Sequence, residues 1–107
     1  MANPEPISER RKAPRYLFRA DVEIEWGSRI LRVPISDISL SGVFISTGEL
    51  VSVGSEFSAR ILVDRPLEVD CVVRRVVPGR GIGVEFLSLP DSSRARLESL
   101  LRALAEE

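Results

Sequence analysis

From Ala20 to Trp26 the chain alternates. Val22, Ile24 and Trp26 share one parity, and Asp21, Glu23 and Glu25 the other, which is the period of a half-buried strand. Gly27-Ser28 marks a turn. Leu31, Val33 and Ile35 resume the alternation as a second strand, so the two predict a hairpin, and Trp26 is expected in the core on the parity of Val22 and Ile24. Pro34 demands an edge position or a bulge in that second strand. Beyond the stretch Asp37-Ile38-Ser39-Leu40-Ser41-Gly42, Val43-Phe44-Ile45 reads as a short third strand. Phe57, Ala59, Ile61 and Val63 mark a fourth, residues 67–77 the longest β run, and Ile82, Val84 and Phe86 a sixth. Asp64-Arg65-Pro66 and Pro78-Gly79-Arg80 are the turns between them. Six short strands at these spacings predict an antiparallel barrel or sandwich.

From Pro90 the period changes. Leu97, Leu100, Leu101 and Leu104 fall at i, i+3, i+4 and i+7, one stripe of an amphipathic helix over about residues 90–105. Asp91, Ser92 and Ser93 are its candidate N-cap oxygens, and Pro90 suits its start. The stripe is expected to lie on the strands, over an open end of the barrel. The first nine residues hold two prolines and little that is apolar, and read as a flexible leader.

At 107 residues, 44 % hydrophobic and 29 % charged, the chain has the make-up of one soluble domain with a core that needs no staples. Cys71 is the only cysteine, so no internal disulfide forms; a thiol among valines is expected to be buried and inert. Histidine is absent. That removes the commonest general base and every Ser-His or Cys-His pair, and excludes a structural zinc site. Carboxylates are numerous but nothing pairs them, so an enzyme is not expected. No apolar run is long enough to span a membrane, and the first residues lack the apolar core of a secretory signal. The net charge of −1 is unevenly spread: Arg10, Arg11, Lys12, Arg15 and Arg19 stand against only Glu5 and Glu9 in residues 1–19.

Arg11 and Arg15 are spaced R-x-x-x-R. Residues 37–42, DISLSG, fit D-x-S-x-x-G and run straight into a strand. In this order, with Gly81-Ile82-Gly83-Val84-Glu85-Phe86 and a closing helix behind them, the motifs resemble the PilZ domain, a family of bacterial receptors for cyclic di-GMP. The resemblance covers residue 10 to about 104. It implies a mainly β fold, a six-stranded antiparallel barrel with a C-terminal α-helix. The domain is then 10–107, with an arginine arm at 10–16, the barrel at about 17–87 and the helix at about 90–105. It also implies that Arg11, Arg15, Asp37, Ser39 and Gly42 meet at one ligand. Arg10, directly before the motif, implies two stacked ligand molecules rather than one.

The residue types suit that ligand. Arginine's planar fork matches phosphate bidentately, pairs with guanine O6 and N7, and stacks on purines. Asp37 can accept from guanine N1 and N2, donors that adenine does not present in that arrangement. The Ser39 hydroxyl can hold a phosphate or a base edge, and Gly42 allows φ > 0 or a close ligand approach. Ordering residues 8–16 from full disorder costs on the order of 10 kcal/mol, against roughly −8 kcal/mol for a micromolar ligand. The arm is therefore expected to be semi-ordered and to tighten on binding.

Each motif also has a plainer reading. RRKAPR suits a solvated basic leader or a non-specific nucleic-acid arm. DISLSG suits an Asx or Ser turn, with Ser36 and Ser41 ordinary turn residues. Gly79, Gly81 and Gly83 precede no helix and are turn and strand residues, not a dinucleotide fingerprint. The six aromatic residues are mostly strand-buried by parity and leave little base-stacking surface, against a single-strand-binding barrel. The expected function is a non-enzymatic cytoplasmic adaptor, a monomer or weak dimer. It would bind cyclic di-GMP and signal to a protein effector, with no cofactor, metal, membrane or nucleic acid. The alternative is a PilZ-like protein–protein scaffold that has no nucleotide ligand.

Overall fold

A computed structural model of the chain describes residues 14–48 and 51–106. Six antiparallel strands close into a barrel: β1 (Tyr16–Trp26), β2 (Arg29–Ile38), β3 (Gly42–Ile45), β4 (Glu56–Leu62), β5 (Leu67–Val77) and β6 (Gly81–Ser88), followed by α1 (Asp91–Ala105). Around the wall the order is β1-β2-β3-β6-β5-β4, and β1 closes the circle by pairing with both β2 and β4. Strand β3 is short and pairs with β2 only at Ile35, Asp37 and Ile38, so residues 29–34 of β2 have strand partners in β1 alone. Pro34 lies at the end of that one-sided stretch, the edge position that its missing N–H requires. It sits opposite Asp21, its carbonyl accepts from Ser46 N at 2.9 Å, and the β2–β3 register slips just beyond it.

The alternating apolar residues fill the barrel. Val22, Ile24, Ile35, Ile45, Ile61 and Val73 are all buried among the members of one core. Trp26 is half-buried and packs against Phe57 with ring centroids 5.4 Å apart. Strand β1 begins at Tyr16, four residues earlier than its clean alternation, because a bulge between Leu17 and Ala20 interrupts the period.

Helix α1 packs against β5 and β1. Leu97 is the anchor at 1 % exposure, with Leu100, Leu101 and Leu104 partly buried against the core. Its N-cap is Pro90, and no side chain caps it. The oxygens expected from Asp91, Ser92 and Ser93 do not serve: Ser93 is buried, and Arg94 N bonds to Pro90 O instead. Arg96 holds the helix down on the β4–β5 turn by donating to the carbonyls of Arg65 and Pro66.

Candidate functional site

Strict alternation from Leu31, Val33 and Ile35 would turn residue 37 into the core. It does not, because β2 carries an extra residue. Ile35 pairs with Ile45 and Asp37 with Phe44, so two residues of β2 advance against one of β3. Ser36 and Asp37 both end on the outer face, and Ile38 returns to the core, fully buried. A bulge re-aims a side chain at the cost of one ladder position, and here the re-aimed group is a carboxylate.

The bulge in β1 sets the register that brings Arg15 to it. Tyr16 pairs with Ile38 and Leu17 with Asp37, so the residue just before the strand stands over Asp37. Arg15 Nε donates to Asp37 Oδ1 at 2.8 Å, and Nη2 lies 2.6 Å from the same oxygen. The pair is open to solvent, with side-chain exposures of 48 % and 27 %. Arg10 and Arg11 lie outside the described residues.

Ser39 and Gly42 serve the turn that links β2 to β3. Ser39 is fully buried. Its Oγ accepts from Ser41 N and Gly42 N, both at 3.2 Å, and its own N–H donates to Gly42 O at 2.9 Å. The hydroxyl expected to meet a phosphate or base edge is thus engaged inside the turn. Gly42 does not have positive φ. Its need is steric: a side-chain carbon there would overlap Val84 O and stand 3.0 Å from Val84 C and 3.1 Å from Glu85 Cα. The close approach at Gly42 is thus made by the β6 backbone. Ser41 O accepts from Phe86 N at 2.8 Å and locks the turn to that strand.

On the outer wall beside this turn, direct pairing aligns Leu17, Asp37, Phe44, Gly83 and Arg75 in one row across five strands. Phe44 is half-buried but takes no part in the core, and Arg75 lies over its ring, with Cζ 5.9 Å from the centroid. The aromatic count taken from the sequence undervalued Phe44. The signal was legible in its parity, opposite to that of Val43 and Ile45.

Cys71 is buried in the core, and burial, aided by the neighbouring Asp70 carboxylate, pushes its thiol up to about 12. Among the described residues, no cluster of His, Cys, Asp or Glu could hold a metal ion, and no helix is long and apolar enough to cross a membrane.

The family model described as the PilZ domain matches residues 9–103. Among solved structures, the Bacillus subtilis inhibitor of motility MotI/DgrA superposes with a TM-score of 0.78 at 19 % identity, covering 91 % of this chain and 52 % of that one. Escherichia coli YcgR in complex with c-di-GMP gives 0.77 at 17 % identity, covering 91 % and 46 %. The chain therefore spans about half the length of these two proteins. The PilZ domain of YcgR with c-di-GMP gives 0.73 at 16 % identity, covering 91 % and 92 %. No curated protein matches the sequence.

Proposed function

Because the chain belongs to the PilZ domain family, we propose that it is a non-enzymatic receptor for cyclic di-GMP that passes the signal to a protein effector. The observation that carries the reading is the Arg15–Asp37 pair, which joins one residue of each motif at a single exposed point of the barrel wall. The two groups suit opposite parts of one ligand. The guanidinium is a fork for a phosphate or a purine edge. The carboxylate accepts two donors from the Watson–Crick edge of guanine, so it selects guanine over adenine. On this reading Arg15 turns from Asp37 towards a phosphate while the carboxylate takes the base.

Arg10 and Arg11 add cations to the same ligand, and Arg10 favours a second, stacked molecule. Ser39 and Gly42 act through the turn: they hold the backbone against β6 and so fix where Asp37 stands. The output is a changed arm and turn surface offered to an effector in the bacterial cytoplasm.

Titration calorimetry with cyclic di-GMP, GTP and cyclic di-AMP tests the reading. Tight binding of cyclic di-GMP alone is expected, with Arg15→Ala and Asp37→Ala abolishing it while the fold persists. Comparable affinity for all three ligands overturns guanine selection by Asp37. A folded wild-type chain that binds none of them leaves the protein-interaction scaffold.

A further inference from the structure

We propose that the bare edge of β2, residues 29–33, pairs with the same edge of a second copy of this chain, so that two barrels join through one continuous sheet. The inference needs no ligand and stands apart from the receptor reading. Beyond the short reach of β3, this stretch has a strand partner in β1 alone. Such an edge is a template for another strand.

Pro34 shows which backbone groups face outward. Its carbonyl reaches Ser46 N, away from β1. Residues two apart in a strand point their N–H and C=O the same way, and the β1–β2 pairing runs unbroken from Ile35 to Arg29. Ile30 and Arg32 therefore aim theirs away from β1 as well. Among the described residues, no strand or loop backbone meets them there. Pro34 cannot donate, so it ends the usable edge.

Two outward residues flanking one inward residue make the edge self-complementary. About a two-fold axis at Leu31, Ile30 of each copy stands opposite Arg32 of the other, and both are hydrogen-bonded pairs. Four N–H···O bonds result, and the two Leu31 residues meet as a close, non-hydrogen-bonded pair. Leu31 and Val33 are only partly buried against their own core, so the axis joins the apolar inner faces of the two hairpins.

The outer face fits as well. Ile30 is 68 % exposed, and the stem of the partner's Arg32 covers it. Within its own chain Arg32 does not guard the edge, because its Nε leans over β1 to Asp21 Oδ2 at 3.2 Å. Glu25, directly across from Ile30, is exposed and makes no ion pair among the described residues. The partner's Arg32 lies in the same row, two strand spacings on, and brings a cation to that carboxylate. A contact this narrow belongs with weak, transient interfaces.

Sedimentation equilibrium of the full chain without ligand, up to about 1 mM, tests the pairing. A concentration-dependent dimer is expected. Arg32→Pro removes an N–H that bonds nothing in the single barrel, and is expected to weaken the dimer about tenfold or more. Should Arg32→Pro not fold, Ile30→Lys serves: it sets a like charge opposite the partner's Arg32 at an exposed position, and the same loss is expected. In hydrogen exchange, the amides of Ile30 and Arg32 should slow as the protein is concentrated, while those of Leu31 and Val33, bonded to β1, are protected throughout. Leu31→Cys should form an intermolecular disulfide on mild oxidation, since close antiparallel partners lie about 4.5 Å apart, and faster than Leu87→Cys on β6. A monomer at about 1 mM overturns the proposal and leaves the edge to a strand of another protein. A dimer undiminished in the folded variants, or cross-linked no faster at Leu31 than at Leu87, joins through another surface and overturns it too.

Discussion

Replacing Gly42 with alanine separates a glycine needed by the fold from one needed by a ligand. The added carbon would overlap Val84 O and press on Val84 C and Glu85 Cα at 3.0 and 3.1 Å. All three are backbone atoms, so no rotamer change relieves the clash. Strand β3 must move off β6, and the 2.8 Å bond from Phe86 N to Ser41 O stretches with it. Overpacking costs typically 1–3 kcal/mol, and a purely backbone clash belongs at the upper end, about 3 kcal/mol. At roughly 4–8 °C per kcal/mol for a domain near this size, the melting temperature should fall by more than about 10 °C. Gly83→Ala is the control. Its nearest neighbour would be Arg75 Cβ at 3.7 Å, an ordinary contact, and its stability should change by less than about 1 kcal/mol. Thermal unfolding followed by far-ultraviolet circular dichroism, without ligand, reads both. If Gly42→Ala melts with the wild type yet fails to bind cyclic di-GMP, the glycine serves the ligand and the steric argument fails.

Ser39→Ala strips two N–H groups, the part-buried one of Ser41 and the buried one of Gly42, of their acceptor. Urea unfolding should show a loss of about 1–3 kcal/mol, and no loss would mean that the turn is held otherwise. Leu97→Ala, at the 1 %-exposed contact between α1 and the barrel, should cost about 2–5 kcal/mol in the same assay. The Cys71 thiol, pushed up from 9.0 to about 12 by burial, should resist alkylation in the native state and react once the chain unfolds. Because the unfolded thiol releases its proton first, the stability tied to Cys71 is whole below pH 9 and is lost between pH 9 and 12. Cys71→Ala should flatten that part of the stability–pH curve, and an unchanged slope would refute the assignment.

The strands were legible because apolar alternation is what a barrel wall requires, and the leucine stripe of α1 because one helical face must be buried. What the sequence hid was where the alternation breaks. Asp37 and Arg75 both fall on parities that would turn them inward, and register slips place both outside. A bulge is a relation between two strands, and no single run of residues contains it. Ser39 was visible as a motif residue. Its burial was not, since that depends on β6 closing over the turn. The cap of α1 was misplaced because the helix already starts at Asp91, so Asp91, Ser92 and Ser93 lie inside its first turn and Pro90 holds the N-cap.

The Arg15–Asp37 contact decides how the proposed switch can be energised. An ion pair this open contributes about 0–1 kcal/mol, so it orients both groups without holding them against a competitor. Charge-assisted bonds to a ligand exceed that, at roughly 1.5–3 kcal/mol each. Arg15 is also one residue from the first paired position of β1, Tyr16 opposite Ile38. It is thus tethered to a paired neighbour, so most of its ordering belongs to folding rather than to binding. On the receptor reading, the ligand meets one arginine and one carboxylate already in place and displaces only a weak bond between them. The amides of Tyr16 and Leu17 should accordingly be protected from hydrogen exchange before any ligand is added. If they exchange freely until cyclic di-GMP binds, the arginine is recruited rather than prepositioned, and binding must supply about 1–2 kcal/mol more for every residue it orders.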